Sequence, residues 1–281
     1  MKSPAHTPFN MRPSSTPAVC TLVGAGPGDP ELLTLKAVRA IEAATVLLVD
    51  DLVSDDIVAL ASPTARVVRV GKRGGCRSTP QAFIDRLMIS EALAGENVVR
   101  LKGGDPFIFG RGGEEAEHLR AAGVQVRVIN GITAGLAAVT SLGVPLTHRD
   151  HAHGVVFVTG HAKPGDSGTD WRSLAATARE CKLTLVIYMG VSGAQAIQQQ
   201  LLTGLAAHTP VAVVQHASTP QQRELLCTLD ELPAALAREG LGSPAVIVVG
   251  DVLQGIAAIA SQPPVTETAD PARARARQGV A

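Results

Sequence analysis

Short apolar runs alternate with segments of helical spacing along most of this 281-residue chain. In the first half, the apolar runs are residues 19–23, 45–49, 66–70, 97–101 and 124–129. Between them, residues 31–43, 80–94 and 114–122 carry apolar positions at helical spacing. Strands that alternate with helices in this way predict a mostly parallel sheet that is covered by helices on both faces.

A second series of the same kind begins near residue 155. Its apolar runs are residues 155–159, 183–189, 211–215 and 245–250, and its helical segments are 171–178, 194–202 and 229–238. We therefore predict an α/β fold of two α/β domains, each with a mostly parallel or mixed central sheet. The predicted divisions are a disordered N-terminal segment (1–17), an N-terminal domain (18–133), a C-terminal domain (134–258) and a disordered tail (259–281).

Residues 101–115 form a glycine-rich loop directly after one of the predicted strands. The loop holds five glycines, and its Phe-Ile-Phe segment at 107–109 looks buried. Asp105 can accept hydrogen bonds from hydroxyls or an amine, and Arg111 can hold a carboxylate in a fork. Glycine lets a backbone approach a ligand closely, and open α/β sheets bind ligands at the carboxyl ends of their strands. We interpret this segment as a ligand-binding loop.

A second glycine-rich turn, at residues 24–28, follows the first predicted strand. It resembles the dinucleotide fingerprint Gly-x-Gly-x-x-Gly, although Asp29 stands where the last glycine is expected. Asp50 ends the next apolar run, and an acid at that place could bind a cofactor ribose. These two features keep a nicotinamide-dependent oxidoreductase open as an alternative. A non-enzymatic binding module is also open, but it leaves the charged loops without a role.

Composition excludes several classes of function. Lysine plus arginine and aspartate plus glutamate both number 25, and a neutral chain argues against binding nucleic acid or a membrane surface through bulk charge. No apolar run reaches membrane-spanning length. The four cysteines form no Cys-x-x-Cys pair, so neither a disulfide framework nor a zinc site is expected, and a reducing cytoplasm fits best.

Taken together and in order, the turn motifs are more specific than any one of them. They closely resemble the uroporphyrinogen-III C-methyltransferase family of tetrapyrrole methylases over residues 19–252. The motifs that carry the resemblance are Gly-Ala-Gly-Pro-Gly-Asp at 24–29, Asp-x-Leu-Val-Ser at 50–54, Gly-Lys-Arg at 71–73, the 101–115 loop, Gly-Ile-Thr-Ala at 131–134, Leu-Thr-His-Arg at 146–149 and Tyr-Met-Gly at 188–190.

This resemblance implies transfer of methyl groups from S-adenosylmethionine to carbons 2 and 7 of uroporphyrinogen III. The products are precorrin-2, which feeds sirohaem and cobalamin synthesis, and S-adenosylhomocysteine. The resemblance also implies a homodimer and a cofactor site in the cleft between the two domains. The positions that match the cofactor site are Pro27, Gly103, Gly104, Asp105, Ile108, Thr133, Ala134, Met189, Ala217 and Ala245.

Asp50 and Lys72 match the family positions of a proton acceptor and a proton donor, respectively. A carboxylate base is chemically reasonable, because methyl transfer to a pyrrole carbon leaves a cationic intermediate that must lose a proton. A positioning role for both residues stays open beside acid–base chemistry. The substrate carries eight carboxylates, so its pocket should be basic. Our candidate carboxylate ligands, besides Lys72, are Arg73, Arg111, His148 and Arg149.

His148, His151 and His153 lie close together, but we expect no metal site because no fourth ligand of suitable spacing stands nearby. Transfer from a sulfonium also needs no metal. The nearest rival within the same fold is a methyltransferase that acts on a later corrinoid precursor.

Overall fold

A computed structural model describes residues 17–71, 79–161, 165 and 167–254. Two of the candidate site residues, Lys72 and Arg73, lie outside these residues. The segments predicted to be disordered, 1–17 and 259–281, also lie outside them, apart from Pro17.

The first half of the chain forms a five-stranded parallel sheet in the order β3-β2-β4-β1-β5. Its strands are β1 (Val19–Gly24), β2 (Val46–Val49), β3 (Arg66–Arg69), β4 (Val98–Lys102) and β5 (Gln125–Ile129). Its helices are α1 (Leu35–Glu42), the one-turn α2 (Asp55–Val58), α3 (Gln81–Leu93) and α4 (Gly112–Ala121).

Helices cover both faces of this sheet, as the alternating pattern predicts. Apolar residues of α3 and α4 pack with Leu22, Leu48 and Val98 on one face. Apolar residues of α1 and α2 pack with Leu47 and Val99 on the other face. All five residues of β4 are buried, which is typical of a central strand in a parallel sheet.

The first predicted helix, 31–43, starts too early. Residues Pro30–Leu32 instead form a single 3₁₀ turn that Asp29 caps, because its side chain accepts a hydrogen bond from Glu31 N. The α-helix begins only after Thr34, whose hydroxyl accepts a hydrogen bond from Ala37 N as the N-cap. Two capping side chains five residues apart, Asp29 and Thr34, thus divide a segment that hydrophobic spacing alone predicts as one helix.

The second half forms a mixed five-stranded sheet in the order β6-β7-β10-β8-β9. Its strands are β6 (Gly154–Thr159), β7 (Leu183–Tyr188), β8 (Pro210–Gln215), β9 (Arg223–Thr228) and β10 (Ala245–Val249). Its helices are α5 (Ala134–Ser141), α6 (Trp171–Glu180), α7 (Ala194–Leu201) and α8 (Leu232–Glu239). Strand β10 runs antiparallel to both of its neighbours, and β9 runs antiparallel to β8.

The edge strand β9 was not predicted, and its neighbouring helix starts later than residue 229. Strand β9 reads Arg-Glu-Leu-Leu-Cys-Thr and buries only Leu225 fully, so it lacks the continuous apolar run of the inner strands. Helix α8 begins at Leu232, with Pro233 in its first turn. Strand pairing with β8, which is a tertiary contact, selects an extended conformation for residues 223–228.

The two sheets have separate hydrophobic cores. The clusters of the first sheet contain residues 18–129, whereas those of the second contain residues 134–253. Helix α5 packs on the second sheet, where Ala138 and Val139 contact the cluster that includes Val186 and Val246. We therefore propose the domain boundary between Thr133 and Ala134. Within the described parts of the chain, no helix combines the length and apolar character needed to span a membrane.

Candidate functional site

Loops that follow β1, β2, β4 and β5 meet at the carboxyl edge of the first sheet. Gly26 and Gly104 exchange two backbone hydrogen bonds, with N···O distances of 3.1 and 2.7 Å. A Cβ atom on Gly131 would lie 2.2 Å from the carbonyl oxygen of Gly104, so only glycine permits this approach. A Cβ atom on Gly103 would lie 2.7 Å from Cβ of Leu52. The predicted cofactor segments 27, 103–105 and 133–134 therefore lie side by side.

The carboxylate of Asp105 holds two of these loops together. Its Oδ1 accepts a hydrogen bond from Phe107 N at 2.8 Å. Its Oδ2 accepts hydrogen bonds from Asn130 Nδ2 and Gly131 N, both at 3.1 Å. Asp105 is only 6% exposed, so in this structure its carboxylate is used to connect the β4 and β5 loops. In residues 103–105, the groups that can bind a ligand are therefore the backbone groups beside Asp105 and not its carboxylate.

The second sheet contributes Tyr188, the last residue of β7, to the same cluster. The Tyr188 hydroxyl accepts a hydrogen bond from Gly135 N at 2.7 Å and lies 2.6 Å from Thr133 Oγ1. Burial raises the pKa of this hydroxyl, which therefore stays protonated and can donate to Thr133. The hydroxyl thus caps the first turn of α5, whose own N-cap residue, Thr133, makes no side-chain cap. The tyrosine ring packs on Phe109 at a centroid distance of 4.9 Å.

Met189, Ala217 and Ala245 come together at the edge of the second sheet that faces this cluster. Ala245 pairs with Gln215, and its neighbour Val246 pairs with Tyr188. Ala217 is buried, and a Cβ atom on Gly28 would lie 3.7 Å from its carbonyl oxygen. All ten predicted cofactor positions thus fall on two facing edges, one from each sheet.

Left-handed backbone conformations concentrate in the same loops. Among the described non-glycine residues, positive φ angles occur at six positions, and five of these lie in loops of the two facing edges. Those five residues are Phe109, Arg111, Met189, His216 and Ser218. Such conformations are unfavourable for residues with a Cβ atom and occur mainly where surrounding structure enforces them for a functional reason. This clustering is an independent indication of a functional site.

The expectation that residues 107–109 are buried was wrong. Phe107 is 50% exposed, Ile108 38% and Phe109 40%. Met189 is exposed to a similar degree, at 47%. These apolar side chains flank the glycine-lined edges and offer surface to a flat, apolar ligand face. Hydrophobicity alone assigned them to the core, whereas the irregular loop turns them outward.

The proposed base Asp50 lies at the end of β2, above three charged residues that are absent from the predicted site residues. Arg100, Lys102 and Glu115 are almost completely buried, and Arg100 Nη2 lies 3.8 Å from Asp50 Oδ2. The one signal for them in the sequence is that Arg100 and Lys102 interrupt an otherwise apolar strand. Charged side chains are rarely buried. Two basic residues inside an apolar strand could therefore have predicted a site with buried charges. Lys72, the proposed proton donor, lies outside the described residues.

The candidate carboxylate ligands that the structure describes do not all reach this cluster. Arg111 belongs to its β4 loop, where the exposed guanidinium pairs with Glu114 at 2.6 Å. An exposed pair of this kind is weak and can exchange for a substrate carboxylate. His148 and Arg149 lie in a hairpin beside the start of β7, since Leu146 O accepts a hydrogen bond from Thr184 Oγ1. That end of β7 is roughly 17 Å from Tyr188, so these two residues are separate from the cluster in this chain.

One cavity opens near these loops, and another opens in the hairpin that holds His148. The first, of about 560 Å³, lies between the two halves and is lined by residues 28–30, 54–56 and 218–221. Its side chains include Asp29, Asp55 and Asp56, so it is poorly suited to a polyanionic ligand. The other, of about 510 Å³, lies in the hairpin around His148, Arg149 and His153.

The strand order argues against dinucleotide binding. In the dinucleotide fold, the strand that ends in the ribose-binding acid lies directly beside the first strand. Here β4 separates β1 from β2, which places Asp50 two strand spacings from the glycine turn. The α-helix that should open directly at the turn starts only at Leu35. The nicotinamide oxidoreductase alternative is therefore rejected.

The chain is similar in sequence to one family of known proteins. The family model for tetrapyrrole (corrin/porphyrin) methylases matches residues 19–233. The chain is 54% identical to a uroporphyrinogen-III C-methyltransferase of Pseudomonas aeruginosa over 84% of this chain and 94% of that protein. It is 50% identical to a sirohaem synthase of Azotobacter vinelandii, over 83% of this chain and 50% of that protein.

A similar fold is found among solved structures. The structure of uroporphyrin-III C-methyltransferase from Thermus thermophilus complexed with S-adenosylhomocysteine superposes with a TM-score of 0.71. The match has 42% sequence identity and covers 84% of this chain and 99% of that one.

Proposed function

The chain belongs to the tetrapyrrole methylase family, and from this premise we propose that it transfers methyl groups from S-adenosylmethionine to uroporphyrinogen III. The observation that carries the proposal is the 54% identity to a uroporphyrinogen-III C-methyltransferase across nearly that protein's whole length. Methylation at carbons 2 and 7 would give precorrin-2. The similarity to sirohaem synthases supports sirohaem synthesis as one fate of the product, with cobalamin synthesis as the other.

The two facing edges fit S-adenosylmethionine. The glycines of the β1 and β4 loops let polar backbone groups reach a ligand, while exposed Ile108 and Met189 provide apolar surface for an adenine ring. When bound, the cofactor supplies a methyl group that its sulfonium already activates, and it leaves as S-adenosylhomocysteine. The residues that would hold it are Pro27, Gly103, Gly104, Asp105, Ile108, Thr133, Ala134, Met189, Ala217 and Ala245. The chain's main contribution is to align the donor with the acceptor carbon, which can supply much of the rate.

The macrocyclic substrate requires both apolar and basic contacts. Exposed Phe107 and Phe109 can pack on its pyrrole faces, and Arg111 of the same loop can bind one of its carboxylates. Arg73 is proposed for the same role from its position in the sequence. His148 and Arg149 would contact substrate bound at this cluster only if another protomer presented their hairpin. We propose that the enzyme is a cytoplasmic homodimer.

Asp50 is proposed as the proton acceptor and Lys72 as the proton donor. The side chain of Asp50 is 34% exposed at the carboxyl edge of β2, so one side of the carboxylate can face the substrate. A carboxylate is a sufficient base for this step, because the cationic intermediate that methyl transfer leaves readily loses a proton. Asp50 and Gly103 belong to adjacent loops, so the base would lie beside the cofactor segment.

An anaerobic assay of the purified protein with S-adenosylmethionine and uroporphyrinogen III tests the proposed function. We expect two methyl groups to be gained per macrocycle, as followed by the absorbance and mass of the oxidised product. Binding of S-adenosylmethionine without methylation of uroporphyrinogen III would instead favour a later corrinoid precursor as the substrate. Failure to bind S-adenosylmethionine would contradict the assignment of the two facing edges.

Replacing Asp50 tests its role as the base. We expect Asp50→Asn to lower kcat by about 100-fold while both substrates still bind, because general base catalysis contributes roughly 100- to 10,000-fold. Asp56→Asn makes the same change at an exposed position on α2 and serves as the control. Near-normal turnover of Asp50→Asn would remove the base assignment and leave the methyltransferase assignment standing.

A further inference from the structure

Three charged side chains lie inside the first domain, directly beneath the edge that carries Asp50. The side chains of Arg100 and Lys102 on β4 are each 3% exposed, and that of Glu115 on α4 is fully buried. Removing charges from water is costly, and this cost often exceeds the attraction between the paired ions. Stabilisation of the fold is therefore a poor explanation for these buried charges. We call these three residues the buried charge cluster.

The contacts in the buried charge cluster hold Arg100 in one orientation. Arg100 Nε donates to Glu115 Oε1 at 3.2 Å, and its Nη1 contacts the carbonyl oxygens of Leu48 and Leu101 at 3.4 and 3.3 Å. Lys102 Nζ donates to Glu115 Oε1 at 3.1 Å and lies 3.0 Å from Oε2, in a geometry that makes no hydrogen bond. The guanidinium is thus anchored on both the strand side and the helix side.

Helix α3 extends these contacts to the protein surface. Gln81 Nε2 donates to Glu115 Oε1 at 3.1 Å and to Asp85 Oδ1 at 2.9 Å. Asp85 Oδ2 in turn lies 2.7 Å from Nδ1 of the half-exposed His118. The carboxylate of Glu115 is therefore fixed by α3 as well as by β4.

The buried charge cluster carries an excess of positive charge. Two basic side chains, Arg100 and Lys102, share the single carboxylate of Glu115. The next carboxylate along the strand edge is Asp50, whose Oδ2 lies 3.8 Å from Arg100 Nη2. Asp50 thus balances the excess charge from one side while its other side remains open to the cleft. Charged groups near Asp50 include Arg100, Lys102 and the adjacent Asp51.

We propose that Arg100, anchored by Glu115, is a positioning residue that fixes the carboxylate of Asp50 toward the substrate. The inference rests on the proposed function, in which Asp50 accepts a proton. A fixed cation beside a carboxylate restricts the orientations that the carboxylate can adopt. Even a weak base serves in this step, since the cationic intermediate readily loses a proton. A constant orientation of the base therefore matters more to the reaction than high basicity.

A double-mutant cycle between Arg100 and Asp50 tests this proposal. We expect Arg100→Met to lower kcat about 10- to 100-fold and to leave the KM for S-adenosylmethionine unchanged within about twofold. Arg100→Lys, which keeps a charge, should recover part of the loss. The double variant Arg100→Met/Asp50→Asn should be no slower than Asp50→Asn alone, because Arg100 acts through Asp50. Additive losses would overturn the proposal, as would a folded Arg100→Met protein with native kcat.

Controls separate this role from a merely structural one. Arg127→Met removes an exposed arginine from β5 of the same sheet and should retain native kcat. If Arg100→Met does not fold, as judged by circular dichroism, the cycle is run with Arg100→Lys and Glu115→Gln instead. A crystal structure of Arg100→Lys should show the Asp50 carboxylate turned from its native position, and this readout is independent of turnover. If the native protein methylates a different tetrapyrrole, the same cycle with that substrate still tests Arg100.

Discussion

At the scale of single residues, loop packing gives several side chains roles that differ from what their chemistry suggests. The carboxylate of Asp105 could serve a ligand hydroxyl, yet it connects the loop after β4 to the loop after β5 through two hydrogen bonds. Phe107 and Phe109 could belong to a core, yet they are exposed beside the cluster. Residue type therefore predicts which interactions are possible, and the packing of the loops decides which ones are made.

The thiol of Cys20 makes a pH-dependent contribution to stability. Burial raises its pKa from 9.0 to about 12, with the charge of Glu115 adding to the shift. In the unfolded chain the thiol ionises near 9.0, so between pH 9 and 12 the folded state binds more protons than the unfolded state. The contribution is therefore fully present below pH 9 and is lost as the pH rises toward 12.

Cys20→Ala should consequently reduce the alkaline loss of stability. Between pH 8 and about 10.5, we expect the free energy of unfolding of the native protein to fall by roughly 2 kcal/mol more than that of the variant. Urea unfolding at several pH values measures this difference, and the exposed Cys181→Ala provides the control. An equal pH dependence of native and variant proteins would contradict the buried, protonated state of Cys20.

At the scale of secondary structure elements, α5 depends on a partner from another strand. Its first turn has no side-chain cap of its own, and the hydroxyl of Tyr188 on β7 takes that place. The same hydroxyl contacts Thr133, a proposed cofactor residue. The start of α5 and the end of β7 are thus positioned together, although 53 residues separate Gly135 from Tyr188.

Tyr188→Phe tests this capping interaction while keeping the aromatic ring against Phe109. We expect the free energy of unfolding to fall by about 1–2 kcal/mol, since one cap and one further hydrogen bond are lost. We also expect weaker S-adenosylmethionine binding, by about fivefold in isothermal titration calorimetry, which corresponds to roughly 1 kcal/mol. Thr140→Ala removes an exposed hydroxyl from the same helix and should leave the affinity unchanged. Native affinity in Tyr188→Phe would show that the cap does not position the cofactor segment.

At the scale of the whole molecule, the two sheets meet through close contacts between small residues and loops. The backbone N–H of Asp29 donates to Ser218 Oγ at 3.2 Å. Beside this contact, a Cβ atom on Gly28 would lie 2.4 Å from Cγ2 of Thr219. Gly28 also has φ = 148°, which side chains with a Cβ atom rarely adopt. The distance between the two facing edges therefore depends on glycine at this position.

Gly28→Ala should move the β1 loop away from Thr219. We expect this change to reduce activity more than it reduces the stability of the fold. We expect kcat/KM to fall by about tenfold or more, because small displacements of reacting groups are costly. Gly95→Ala is a matched control, since Gly95 also has positive φ but has no atom within 4 Å of an added Cβ. The double variant Gly28→Ala/Thr219→Ser, which removes the opposing methyl group, should recover part of the activity. Equal effects of Gly28→Ala and Gly95→Ala would show that backbone strain, and not the contact between the two halves, is responsible.

The sequence by itself determined the α/β class, the two series of elements and the loops that carry the candidate cofactor residues. Hydrophobic periodicity and glycine-rich turns are local features, and local chemistry is sufficient to predict them. The family resemblance, carried by ordered motifs, was confirmed by the comparisons. The same local signals misplaced the start of α1 and missed β9, since capping and strand pairing depend on neighbours that periodicity does not contain.

Only the tertiary structure decided which of these loops meet. The order β3-β2-β4-β1-β5 brings the β4 loop between those of β1 and β2 and rejects the dinucleotide interpretation of Asp50. Folding also places Arg100 behind Asp50, and it puts Arg149 at the far end of the second sheet. Contacts between residues distant in the chain depend on strand order and packing, which nearest-neighbour patterns in a sequence do not specify.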